Sequence, residues 1–210
     1  SQSWYTAHLA AKVLPLLAPP EFFAGLMGFS FDLFIDQPNQ TVTRNHTSML
    51  FSPFSICQLS GQLQRWSDGL TGFKRYGGQP VGTMSKEEID QLMSAIEANF
   101  IYLLKQRQPR WRQLYANTAE QGRLFRLQLN DVSAYSVLLD NSLQKIEQLR
   151  YDDGAIGVES DYQRINQLWW PMQFRLHRGD TQLASGRFEQ VTLRSSNACQ
   201  GLWDELANTP

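Results

Sequence analysis

Apolar and polar residues alternate with period two over most of this chain, and only a few stretches switch to a spacing of three or four. The first such stretch, about Ser3 to Leu17, sets Leu9, Val13, Leu16 and Leu17 at helical spacing. "EFFAGLMGF" then allows a second short helix, ended by Gly25 and Gly28. From Phe29 the period is two: Phe29, Phe31, Leu33 and Ile35 alternate with Ser30, Asp32, Phe34 and Asp36. "QPNQ" makes a turn, and an extended run continues to Phe51. "SICQLSGQLQRW" reads as a third run, alternating through Cys57, Leu59, Gly61 and Leu63. A turn at Asp68-Gly69, a short strand over Phe73 to Tyr76 and a turn at Gly77-Gly78 follow.

A capping box, Ser85 three residues before Glu88, opens the clearest helix, with Ile89, Leu92, Met93, Ile96, Phe100, Leu103 and Leu104 on one face. The polar, basic stretch "KQRQPRWRQLYANTAEQG" reads as a surface loop or a lip beside an opening. From Gly122 to Leu193 six short runs return at hairpin spacing, "RLFRLQL", "AYSVLLD", "KIEQLRY", "GVESDYQRI", "WPMQFRLHR" and "LASGRFEQVTL", separated by turn residues. An antiparallel meander of this length must curl to hide its inner face, and amphipathic helices are available to cover it. The expected fold is therefore α+β, a curved antiparallel sheet with helices on its concave face, in a single domain over residues 1–210.

Charge adds little: 19 Lys and Arg stand against 20 Asp and Glu, which gives no broad attraction to nucleic acid or an anionic membrane. The most apolar early stretch, "AHLAAKVLPLLAPPEFFAGL", is broken by Lys12, Pro15, Pro19 and Pro20, so no transmembrane helix is expected. The sequence starts at Ser1, which suits a mature chain whose signal peptide has been removed. Two cysteines, Cys57 and Cys199, are too few and too far apart for a zinc site; they could pair in an oxidising compartment or remain two buried thiols.

Catalysis finds no motif. His8, His46 and His177 lie far apart, and neither a Gly-x-Ser-x-Gly elbow nor a His-Glu-x-x-His helix occurs, so the expectation is a non-enzyme without a cofactor. Asp152-Asp153 and Glu159 with Asp161 could hold a hard cation, but they read as turn residues and solvent-facing strand positions, so no metal is expected.

The order of elements resembles the bacterial outer-membrane lipoprotein-sorting (LolA/LolB-like) superfamily. The stretches that carry the resemblance are "GLMGFSFDL", "RWSDGLTGFKRYGGQPVGTMSKEEIDQLM" and the run from "YSVLLD" to "RFEQVTL", across roughly residues 10 to 195. Ser1 departs from the family's anchored receptors, which carry an N-terminal lipidated cysteine. The resemblance implies an incomplete, half-open antiparallel barrel with a hydrophobic cavity for acyl chains. It implies a monomeric periplasmic carrier or chaperone for lipid or lipoprotein acyl chains, receiving cargo from an inner-membrane exporter and passing it to an outer-membrane acceptor. The alternative is a module on the same fold with a packed core, which binds a protein rather than a lipid.

Residues for the cavity follow from the alternation. Phe31, Leu33, Leu59, Leu63, Phe125, Leu127, Tyr135, Val137, Met172, Phe174 and Leu176 are either ordinary core or cavity lining. Ile89, Met93, Ile96 and Phe100 form a lid face able to repack around variable chains. Met172, Phe174 and Leu176 share one strand face, and Gln173, Arg175 and His177 the other. Of Trp169-Trp170, one must point away from the interior, and Trp169 is assigned to the rim.

Overall fold

Period two becomes strand wherever the chain could be read, as a computed structural model shows for the described residues, 17–97, 99–107, 110–113, 122–129 and 132–208. The helix expected at Ser3 to Leu17 lies outside them except for its last residue. The strands are β1 (Gly28–Asp36), β2 (Thr43–Phe51), β3 (Phe54–Ser60), β4 (Leu63–Ser67), β5 (Gly72–Tyr76), β6 (Gly82–Thr83), β7 (Arg110–Gln113), β8 (Arg123–Leu129), β9 (Val132–Leu139), β10 (Ile146–Tyr151), β11 (Ile156–Ile165), β12 (Leu168–Arg178) and β13 (Thr181–Thr192). The helices are α1 (Pro20–Gly25), α2 (Lys86–Glu97), the single turn α3 (Phe100–Tyr102), which runs into a π-helical turn at Leu103–Arg107, and α4 (Gln200–Ala207).

The hydrogen-bonded order is β6-β5-β4-β3-β2-β1-β13-β12-β11-β10-β9-β8-β7, one sheet that begins at β6 and ends at β7 without closing into a barrel. The architecture is α+β with an open antiparallel sheet, as expected. Three local details differ from the alternation. "SICQLSGQLQRW" is two strands, β3 and β4, because Gly61 takes φ +59° and turns the chain. Leu59 pairs with Gln64 and Ser60 with Leu63, so Leu59 and Leu63 fall on opposite faces of the sheet. The expected loop after Leu104 contains strand β7, and "QGLWDELA", for which no element was expected, forms α4.

Contacts group the described residues into two compact units. The first comprises Leu26–Ile35, Val42–Tyr102 and residues 188–208. On one face of its strands, Ser85 and Glu88 exchange the two capping bonds, each 3.2 Å, that start α2. Gly72 on β5 is kept bare because a Cβ there would stand 2.9 Å from the Met84 sulfur and 3.2 Å from Ile89. Ile89, Leu92 and Ile96 are the buried stripe of α2. The C-terminal segment covers the other face. Ser196 bonds Ser48, Cys199 is disulfide-bonded to Cys57, Trp203 packs edge-on against Trp66 at 4.5 Å and against Phe73 at 6.0 Å, and Glu205 pairs with Arg75.

The second unit comprises residues 17–25, Asp36–Thr41 and Leu103–Arg187. Lys105 donates to the last carbonyls of α1, Phe23 at 2.7 Å and Ala24 at 3.2 Å, placing a cation where the orphan carbonyls of that helix end. Its strands form a continuous meander whose turns are closed by Asp140, by Asp152-Asp153-Gly154 and by Arg178-Gly179-Asp180.

Candidate functional site

Cross-strand register assembles one apolar face in the second unit. Phe125 lies opposite Val137 and Leu127 opposite Tyr135. Val137 and Tyr135 in turn face Leu149 and Tyr151, and Leu149 faces Gly157. Glu159 pairs with Phe174, Gly157 with Leu176, and Gly186 with Phe174. Because side chains directly across a ladder point to the same side, these residues share one face over β8 to β13. Phe125, Leu127 and Val137 are buried at 1–2 % exposure, while Phe174 and Leu176 keep partial exposure.

Phe174 sits over Gly186, where an added Cβ would fall 2.3 Å from the ring. The glycine makes room for an aromatic ring on its cross-strand neighbour. Gly186→Ala therefore displaces Phe174, and urea unfolding is expected to show a loss of about 1–3 kcal/mol, the usual cost of overpacking. A variant as stable as the parent would show that the ring is not held there.

One ionisable side chain interrupts this face. Glu159 was expected to face solvent, but the register of β11 with β12 runs unbroken from Ile156–His177 to Ile165–Leu168 and sets Glu159 directly opposite Phe174. Alternation along β11 turns Tyr162 to the other side and leaves Glu159 beside Phe174. Its carboxyl has no hydrogen-bond or ion-pair partner among the described residues, and burial pushes its pKa up to about 8. Tyr151 on the same face is pushed up to about 12 by burial, with the Glu159 charge adding to the shift.

The two tryptophans lie on opposite faces of β12. Trp170 shares the Met172 face and is 1 % exposed; Trp169 points to the opposite face, with Lys145 Nζ 4.6 Å and Arg164 Cζ 5.5 Å from its ring centre. Lys145 also lies 5.5 Å from the ring of Tyr162, whose hydroxyl donates to the Ile146 carbonyl. Trp169 is thus packed in a cation-aromatic cluster, away from the Phe174 face.

Of the remaining candidates, Phe31 is buried in the first unit against Phe29 and Phe188, at ring distances of 5.9 and 5.1 Å. Leu33 follows it on the same face of β1. Ile89 and Ile96 are buried in α2, with Met93 half-buried on the same helix and Phe100 half-buried in α3. Leu59 belongs elsewhere, to an open cleft of about 900 Å³ in the first unit.

That cleft holds the polar side chains that sequence reasoning missed. On adjacent strands, Asp32 of β1 stands opposite His46 of β2. Asp32 Oδ1 is 2.7 Å from His46 Nδ1, its Oδ2 accepts from Arg44 at 2.9 Å, and His46 Nε2 is 2.8 Å from the Ser196 hydroxyl. Burial raises the Asp32 pKa, but the hydrogen bonds and charges of Arg44 and His46 outweigh it and hold the carboxyl below its ordinary value. Serine and histidine are 150 positions apart, so no local motif could have announced the contact. Asp152 and Asp153, weighed as cation ligands, instead pair with Arg126 and Arg178, each at 2.7 Å, and no cluster able to hold a metal occurs among the described residues.

No family model and no curated protein matches the chain. Among solved structures it is similar to a DUF1329 family protein from Desulfovibrio piger ATCC 29098, with a TM-score of 0.55 and 9% identity over 90% of this chain and 96% of that one. It is also similar to a LolA superfamily protein from Nitrosomonas europaea, with a TM-score of 0.49 and 10% identity over 89% of this chain and 94% of that one. The first likeness shows a shared fold, which is the class of protein the open antiparallel sheet defines.

Proposed function

We propose that the protein is a periplasmic carrier or chaperone that binds lipid or lipoprotein acyl chains on the apolar face of its second unit. The observation that carries this reading is the continuity of that face from Phe125 on β8 to Phe174 and Leu176 on β12, with the last two still partly exposed. The resemblance in element order to the lipoprotein-sorting superfamily and the open antiparallel sheet point the same way. The Cys57–Cys199 disulfide suits an oxidising compartment such as the periplasm. Cargo would come from an inner-membrane exporter and leave to an outer-membrane acceptor, and binding itself needs no cofactor.

Acyl binding requires no specific polar contact, since each buried methylene contributes about 0.8 kcal/mol. Delipidated protein titrated with a fluorescent fatty acid should take it up saturably, and unlabelled acids should displace it with affinity rising about fourfold per methylene. No saturable uptake would defeat the carrier reading. It would favour the second reading, a protein-binding module, for which the near-complete burial of Phe125, Leu127 and Val137 already speaks.

A further inference from the structure

The cleft in the first unit brings together, through side chains from three separate segments, the groups that make a serine nucleophilic. An imidazole can take a hydroxyl proton only if its near nitrogen faces that hydroxyl and its far nitrogen is held by an acceptor. Here Nε2 meets Ser196 Oγ at 2.8 Å and Nδ1 meets Asp32 Oδ1 at 2.7 Å. The carboxylate is 2 % exposed and fixed on its other oxygen by Arg44, which keeps it from turning away from the ring. The serine is fixed too: its backbone N–H donates to Ser48 Oγ at 2.7 Å, and Cys199, three residues on, is covalently tied to Cys57.

The same cleft offers room and donors. Its walls include Val42, Leu59 and Ala198 beside the polar groups. The backbone N–H groups of Asn197 and Ala198, immediately after the serine, make no hydrogen bond among the described residues. A residue following a nucleophile is where an oxyanion commonly finds its N–H donors. Gln190, another wall residue, takes φ +50°, a strained backbone of the kind that gathers at functional sites.

We propose that Ser196 and His46 are catalytic residues, positioned by Asp32, that hydrolyse carboxylic esters of short acyl groups in this cleft. Ser196 Oγ attacks the ester carbonyl carbon while its proton passes to His46 Nε2. The carbon–oxygen bond to the alcohol breaks, and the alcohol departs with that proton. Water then attacks the acyl-serine, again giving its proton to His46; the carboxylic acid leaves as Ser196 recovers a proton. The balance is one ester and one water to one acid and one alcohol. This activity rests on the cleft alone and stands or falls independently of acyl-chain carriage by the second unit.

The experiment treats the full chain with a fluorophosphonate probe, maps the adduct by peptide mass spectrometry, and follows p-nitrophenyl butyrate hydrolysis by the parent, Ser196→Ala and His46→Gln. A stoichiometric adduct on Ser196, absent after heat unfolding, is expected, and each variant should lose at least about a hundredfold of the rate above background. Ser196→Ala keeps the backbone bond to Ser48, so its melting temperature is expected to match the parent; should it unfold, the adduct site in the parent decides alone. No adduct on Ser196, or equal hydrolysis by the parent and a folded Ser196→Ala, would overturn the proposal and leave the three residues as a tie between the C-terminal segment and the sheet.

Discussion

Glu159→Gln is expected to make the protein more stable than its parent by on the order of 4 kcal/mol at pH 8 and above, and to leave it nearly unchanged at pH 4. The parent carboxyl sits on the Phe174 face without a partner among the described residues, and burial raises its pKa from the ordinary 4.5 to about 8. Between those two values the unfolded chain has released the proton and the folded chain still holds it. The stability that the protonated group retains is therefore complete below about pH 4.5 and is lost as pH rises through about 8. Glutamine, which resembles the protonated acid in shape and cannot ionise, removes this slope. Urea unfolding across pH 4 to 9 checks it: parallel curves for parent and variant would mean that Glu159 is solvated in the folded state.

Removing the disulfide with Cys57→Ala and Cys199→Ala together is expected to cost about 5 kcal/mol in the chain-entropy account, because the bond closes a loop spanning 142 positions. Both sulfurs are buried, and the bond lies on the sheet face covered by the C-terminal segment, between the Ser48–Ser196 contact and the Trp66–Trp203 contact. The loss should appear as a fall of about 2 M in the urea midpoint, and reduction of the parent by dithiothreitol should reproduce it. A midpoint that moves by only a few tenths of a molar would show that the reduced, unfolded chain is already confined.

The alternation of Phe29, Phe31 and Leu33, and of Met172, Phe174 and Leu176, made the sheet legible, since one buried face fixes strand register. Capping chemistry did the same for α2 through Ser85 and Glu88. Features set by a single turn or by the choice of strand partner were not legible. Gly61 parts Leu59 from Leu63, and the pairing of β11 with β12 puts Glu159 among apolar neighbours, although the polar run "ESDYQR" gives no sign of which of its faces is buried. Contacts between segments distant in sequence were equally hidden. The aspartate, histidine and serine of the cleft occupy unremarkable positions in the chain, and α4 is too short to stand on its own periodicity, held by Trp203 and Cys199 against strands more than a hundred residues earlier.

The central claim, that the second unit's apolar face takes acyl chains, is tested most directly by irradiating the delipidated protein with a fatty acid bearing a diazirine near its methyl end and sequencing the adducts. Cross-links on β8, β9 and β12, at or beside Phe125, Val137, Phe174 and Leu176, suppressed by excess unlabelled fatty acid, are the predicted result. Adducts confined to other strands, or a pattern that competitor leaves unchanged, would contradict it.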